Sequence, residues 1–256
     1  MTGTPLKVSL DRHAGLLRLR LARPKANIVD AAMIGALADA FAAHRDPGPL
    51  RAALIEAEGP HFSFGASVEE HLPAQCAAML RGLHGLLVTM LEWPRPILVV
   101  VRGQCLGGGL EVALAGSLIF AAKDAQLGQP EMKLGVFAPA ASCLLPFRVN
   151  QPTAEDLLLS GRSIGADEAR AAGIVHAVAD DPEAVALAYF DQHLAGKSAA
   201  ALGYAVRAAR EGMLPEVKRR IAAVEKLYLE GLIKTRDANE GLAAFLAKRQ
   251  PVWEHI

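Results

Sequence analysis

The side chains with chemistry to offer lie in two short stretches. In RGQCLGGGLEVALAGS, residues 102–117, Glu111 follows Gly107, Gly108 and Gly109 and heads an Ala/Leu run; in GQPEMKLG, residues 128–135, Glu131 follows Pro130. A carboxylate carried into an apolar interior is costly unless it is paired, hydrogen-bonded or put to use. Two carboxyl groups flanking one substrate suit general acid and base work, above all where burial raises the pKa of one of them. The glycines stand where an apolar strand hands over to a helix, and a helix N-terminus presents backbone N–H donors and a partial positive charge. An acyl oxygen that gains negative charge finds there half of an oxyanion hole. A second glycine-bearing stretch, GPHFSFGASVEEH at residues 59–71, also follows a strand and offers a second donor near Ala66. Two converging N–H groups would polarise a thioester carbonyl, so that a β-carbon accepts water or an α-carbon loses a proton. Taken singly, each feature has a plainer reading. Three glycines before a helix can be a turn or packing device, Glu111 a first-turn acid stabilised by the helix dipole, and Glu131 a solvated loop charge. The chemistry rests on their combination and order.

The elements around these stretches alternate strand and helix. Residues 6–21 alternate polar and apolar about His13-Ala14-Gly15 and read as a hairpin. The next segment, 27–44, carries Asp30 as an N-cap with Met33, Leu37 and Phe41 on one helical face. LRAALIEAEG reads as a strand, and PILVVVRG is apolar enough to be buried on both faces of a sheet. Residues 73–92 have helical spacing, stopped by Pro94 and Pro96. SLIFAA is a further strand, and TAEDLLLSG and GADEARAAG read as short capped helices. After residue 195 no strand pattern remains; behind Pro215, a helical stripe runs through Val217, Ile221, Val224 and Tyr228. This C-terminal part reads as the place where subunits or the roof of the active site pack. The segment VFAPAASC, residues 136–143, reads as a loop.

Composition narrows the function classes. A chain of 256 residues with 52% hydrophobic content can bury a large core. Twenty-seven basic residues balance 27 acidic ones without a long Lys/Arg run, which argues against nucleic acid as a partner. Cys76, Cys105 and Cys143 lie far apart and form no C-x-x-C pair, so they read as reduced core thiols of a cytoplasmic protein. The N-terminus shows no signal core, and the longest aliphatic run, residues 97–101, falls far short of the ~20 residues of a membrane span. No H-x-x-x-H pattern suggests a metal site; His61, His71, His84 and His176 read as surface or supporting groups, with His71 at a pocket mouth. Trp93 reads as a packing residue. Neither Ser63 nor Ser67 sits in a G-x-S-x-G elbow, and neither a phosphate loop nor a G-x-G-x-x-G turn is present.

GQCLGGGLEVALAGSLIFAAKDAQLGQPEMKLGV resembles the central signature of the crotonase, or enoyl-CoA hydratase/isomerase, superfamily. The similarity extends upstream through RPKANIVDAAMIGAL and HFSFGASVEE, and downstream through LLLSGRSIGADEARAAGIVHAV and GLAAFLAKRQPVW. The resemblance implies an α/β fold with a crotonase-like ββα spiral core over residues 1–195 and a C-terminal helical trimerisation region over 196–256, assembled as trimers or dimers of trimers. It implies an oxyanion hole on the N–H groups of Ala66 and Gly108, and catalytic roles for Glu111 and Glu131. Coenzyme A contacts fall on Lys25, Ala26, Ser67 and Val68, with Lys248 as a phosphate neighbour. Coenzyme A is part of the substrate, and no metal or separate cofactor is implied. Retention of both glutamates favours water addition to an unsaturated acyl-CoA over double-bond isomerisation and argues against a non-catalytic subunit; the rivals are a straight-chain or cyclic monoenoyl-CoA hydratase and an RNA-binding relative, the latter opposed by the near-neutral charge. Glu131 is expected to position and deprotonate the water or return its proton, with Glu111 holding the same water. Two departures fall where the acyl group binds: Ser67 replaces the usual acid, and APAAS at residues 138–142 replaces a Gly/Thr-rich stretch. Both imply a reshaped pocket. With RPKANIVDAAMI they are similar to the members that hydrate a ring-bearing dienoyl thioester in anaerobic aromatic breakdown.

Overall fold

The computed structural model describes residues 4–46 and 48–256. Strand β1 (Leu6–Asp11) turns back through residues 12–15 into β2 (Leu16–Leu21), and the two pair antiparallel, Leu6 opposite Leu21 and Asp11 opposite Leu16. Helix α1 (Ala31–Ala43) is capped by Asp30, whose carboxylate accepts from the Met33 N–H at 2.9 Å. Its buried stripe includes Met33, Leu37 and Phe41, as the spacing requires. Next come β3 (Ala52–Ala57), α2 (Cys76–Glu92) and β4 (Ile97–Val101), followed by β5 (Gln104–Leu106), α3 (Gly108–Ala115), β6 (Leu118–Ala122) and β7 (Gln126–Gly128). The chain continues through α4 (Pro139–Leu144), α5 (Gln151–Ser160), β8 (Ser163–Gly165), α6 (Ala166–Ala171), β9 (Ala177–Ala179) and α7 (Pro182–Tyr189). From α8 (Ala199–Arg210) through α9 (Met213–Glu230) to α10 (Arg236–Leu246), the described regular elements are all helical.

Six strands form one sheet in the order β1-β2-β3-β4-β6-β9, parallel from β2 onward, and β5-β7-β8 form a smaller one. The larger sheet is covered on both faces. Leu17, Leu19, Ala53, Ile55 and Val99 point into the main core with α1 and α2, while Leu16, Leu54, Leu98 and Phe120 pack on Ala186, Phe190 and Leu194. That double burial is why β4 reads as an unbroken aliphatic run. Trp93 closes the end of α2 with its ring edge-on to Phe41 at 5.4 Å. Cys76, Cys105 and Cys143 are buried and unpaired. Among the described residues, no helix is long and apolar enough to cross a membrane.

Three local readings are corrected. VFAPAASC is not a loop: residues 139–144 form α4, started by Pro139 in the first turn, where its missing N–H costs nothing. Glu131 lies not in irregular chain but on a 3-10 turn, Pro130–Leu134, again with proline leading. The helix at TAEDLLLSG begins two residues earlier, at Gln151, because the Asn150 side chain accepts from the Thr153 N–H at 3.0 Å and makes the cap. The C-terminal helices cover the site side of the molecule. Helix α9 packs on α2 and α4, and α10 packs on the turn that carries Glu131.

Candidate active site

Two backbone stretches meet at the head of α3 with no side chain between them. Gly107 has φ +49°, and a Cβ there would stand 2.6 Å from Glu131 Oε1. A Cβ on Gly108 would lie 3.1 Å from the backbone nitrogen of Ala66, and one on Gly109 would lie 2.5 Å from Ser63 Cβ. Gly65, at φ +109°, closes the contact from the other side, where a Cβ would approach the Leu106 carbonyl at 3.2 Å. The glycines therefore permit direct backbone contact. This brings Ala66 beside Gly108, whose N–H opens the first turn of α3 and has no intrahelical acceptor. Both residues line a cleft of about 620 Å³.

The loop bearing Ala66 is braced from behind. Ser63 is buried; its hydroxyl donates to the Asn27 carbonyl at 2.8 Å and accepts from the Gly65 N–H at 3.1 Å. Asn27, also buried, donates to the carbonyls of Glu58 and His61 at 2.9 and 3.0 Å and accepts from the Arg23 N–H at 2.9 Å. It ties the 23–27 segment to the loop bearing Ala66. Sequence reasoning passed over Asn27, and the available signal was a lone polar residue between a turn and a helix cap.

The cleft wall is largely apolar, with Ile28, Leu80, Leu83, Leu106 and Val136 among its residues, and both glutamates reach it. Glu111 is only 3% exposed and accepts from the Ala141 N–H at 2.8 Å. The residues that depart from the usual Gly/Thr-rich stretch thus form a short helix whose first turn holds a carboxylate. Burial pushes the Glu111 pKa up; the Ala141 N–H, the charge of His84 and the Ala140 N–H pull it back. Glu131 is pushed up to about 8, first by burial and then by the negative charge of Glu111. The Gln129 amide, oriented so that both its ends are satisfied, donates to the Glu131 carboxyl oxygens at 3.1 and 3.2 Å. Two coupled carboxyls in an apolar cleft, one of them protonated at neutral pH, form an acid/base pair.

Of the residues expected to contact coenzyme A, Ser67 and Val68 line this cleft. Ala26 lines an adjoining depression of about 500 Å³ with Arg23, Asp30, Ser67 and Glu70. Lys25 and Lys248 line neither. Lys248 has φ +53° just after α10, so the chain turns there and Arg249 lines the cleft instead, with its guanidinium on Glu240 at 2.7 Å. His71 lines the cleft; its Nδ1–H donates to the Ser67 carbonyl at 2.7 Å, and burial lowers its pKa. His84 is not at the surface but buried on α2, with Nδ1 2.7 Å from Glu225 on α9.

Comparison with known proteins identifies the family. The enoyl-CoA hydratase/isomerase family model matches residues 11–255. The chain is 62% identical over 252 residues, 98% of each chain, to a cyclohexa-1,5-dienecarbonyl-CoA hydratase from Thauera aromatica. It is 32% identical over 253 residues, 96% of this chain and 97% of the other, to a carnitinyl-CoA dehydratase from Salmonella agona. Among solved structures, an enoyl-CoA hydratase from Mycobacterium avium subsp. paratuberculosis superposes with a TM-score of 0.85 at 25% identity, covering 97% of this chain and 98% of that one. An enoyl-CoA hydratase/isomerase from Pseudoalteromonas atlantica gives 0.83 at 29% identity, covering 97% and 99%.

Proposed function

The chain belongs to the enoyl-CoA hydratase/isomerase family, and we propose that it adds water to cyclohexa-1,5-diene-1-carbonyl-CoA to give 6-hydroxycyclohex-1-ene-1-carbonyl-CoA, in anaerobic benzoyl-CoA breakdown. The observation that carries the reading is the meeting of Glu111, Glu131, Ala66 and Gly108 on one apolar cleft, in a chain 62% identical to a hydratase named for that substrate.

The water oxygen bonds to the ring carbon β to the thioester, and its proton passes to a carboxylate. The π electrons move onto the thioester oxygen, which the N–H groups of Ala66 and Gly108 hold. The dienolate then takes a proton at the far end of the second double bond, so that hydroxyl and hydrogen are added across four carbons. Glu131, protonated at neutral pH because its pKa stands near 8, supplies the carbon proton. Glu111, held by the Ala141 N–H, takes the proton from water. After each turnover the proton returns from Glu111 to Glu131 within the coupled pair. This assigns the water proton to Glu111, where the sequence left the acid/base work shared between the two; the Ala141 N–H and the charge of His84 favour an ionised Glu111, and that negative charge in turn raises Glu131. The reaction transfers no electrons, so no redox cofactor or metal is called on, and coenzyme A arrives as part of the substrate. Ser67 and Val68 on the cleft, with Ala26 on the depression beside it, hold its adenine and pantetheine portions.

In this reading residues 1–195 are the catalytic core and 196–256 the trimerisation region of a cytoplasmic trimer or dimer of trimers. The test is turnover of the diene thioester in deuterated water, with the product analysed by mass and NMR. One deuterium on the ring carbon opposite the new hydroxyl-bearing carbon, three bonds from it, supports the reading; deuterium on the ring carbon that bears the thioester contradicts it.

A further inference from the structure

Two carboxyls in one cleft can exchange roles unless something makes them unequal. Among the described residues, the buried side-chain nitrogen and oxygen atoms without a hydrogen-bond partner are His84 Nε2 and Tyr228 Oη. Both lie at the packed contact between α2 and α9. His84 is 3% exposed, and its Nδ1 faces Glu225 Oε2 at 2.7 Å, a contact that fixes the ring and leaves Nε2 as its working end. Leu80 and Leu83, on the same face of α2, line the cleft beside Glu111. A buried polar atom left without a partner is costly, so its retention calls for a role.

We propose that His84, oriented by Glu225, is a positioning residue that makes the glutamate pair unequal: Nε2 reaches the Glu111 carboxyl through one water and keeps Glu111 as the partner that gives its proton back. The inference rests on the functional reading above. The charged groups facing His84 are Glu225 from α9 and Glu111 from α3, and Cys76 and Tyr228 lie beside these two carboxylates. Behind Glu111 stand Glu131 and Cys143, the latter within reach of Arg220 and Glu216. Of these neighbours, the His84 charge opposes ionisation of none and favours that of Glu111. Tyr228 Oη, whose ionisation both glutamates disfavour, stays a neutral phenol.

The experiment compares wild type with His84→Gln, Glu225→Gln and Glu131→Gln in hydration of the diene thioester across about pH 5 to 10, together with thermal melting. Removing positive charge near Glu111 raises its pKa, so in His84→Gln the acid limb of the kcat profile moves to higher pH. On that limb kcat falls roughly 10- to 100-fold, the range for groups supporting a catalytic residue, with KM little changed. Glu225→Gln moves the limb in the same direction and less far. A folded His84→Gln or Glu225→Gln with the wild-type limb, or with a loss equal at every pH, overturns the inference. Should His84→Gln not fold, Glu225→Gln decides, since Glu225 lies partly exposed, and so does the His84 Nε2 NMR resonance, which must differ between wild type and Glu111→Gln. Full activity in Glu131→Gln would instead sink the functional reading, which keeps the two failures apart.

Discussion

Replacing Glu131 by glutamine removes a transferable proton and little else. The amide matches the protonated carboxyl in shape, and its oxygen still accepts from the Gln129 amide that reaches Glu131 at 3.1 and 3.2 Å. With the Glu131 pKa pushed up to about 8 by burial and by Glu111, the protonated form predominates at pH 7. The substitution therefore mimics the resting charge state while abolishing proton delivery. Losing a positioned proton donor costs ~10²- to 10⁴-fold in kcat, or about 3–5 kcal/mol of barrier. KM should stay within a few-fold, because Ala66, Gly108 and the coenzyme A contacts are untouched. The same variant has a thermodynamic signature. In wild type the folded pKa lies well above the ordinary carboxylate value, so stability is fully present at low pH and declines as pH rises through about 8, where the buried carboxyl is forced to ionise. Glu131→Gln escapes that decline. Its melting temperature should match wild type near pH 5 and exceed it near pH 9. Steady-state rates with the diene thioester and melting curves at both pH values test the two halves together. Unchanged kcat refutes the catalytic role, and a melting temperature below wild type near pH 9 refutes the burial argument.

Gly107→Ala places a methyl 2.6 Å from Glu131 Oε1 at a φ of +49°, and should lower kcat at least ~10²-fold while costing about 1–2 kcal/mol in denaturant unfolding. Asn27→Ala removes three hydrogen bonds from a fully buried site and should destabilise by about 3 kcal/mol in the same assay, with a raised KM as the 23–27 segment loosens. Ala141→Pro deletes the N–H that Glu111 accepts, at a first-turn position where no intrahelical bond is lost. The acid limb of the rate profile should move to higher pH, and an unmoved limb would show that this N–H does not hold Glu111 in its working state.

What the sequence discloses is what local chemistry determines. Asp30 as a cap, the Met33-Leu37-Phe41 stripe and the doubly buried β4 follow from spacing alone. The Glu111 environment follows from the order of strand, glycines, helix and Gly-Gln-Pro-Glu stretch, since the glycines alone could be a turn or packing device. Two kinds of feature escape. Short elements such as α4 carry too few residues for a period to show, and Ala-rich residues behind Pro139 look like loop. Pairings across long separations leave no local trace: His84 meets Glu225 from 141 residues away, and neither residue type announces the other. Asn27 is a third case, its partners Glu58 and His61 being set by tertiary approach. Lys248 shows the limit of carrying a site over by position, since a helix-ending turn directs Arg249 rather than Lys248 to the cleft.

The most direct test of the central claim is the ratio of kcat/KM for cyclohexa-1,5-diene-1-carbonyl-CoA to that for crotonyl-CoA, measured on the same preparation of wild-type protein. A cleft reshaped at Ser67 and α4 for a ring predicts fast hydration of the diene and a ratio of at least ~10², the discrimination a few pocket contacts supply. A ratio near or below one would leave the fold and both glutamates in place and contradict the ring specificity.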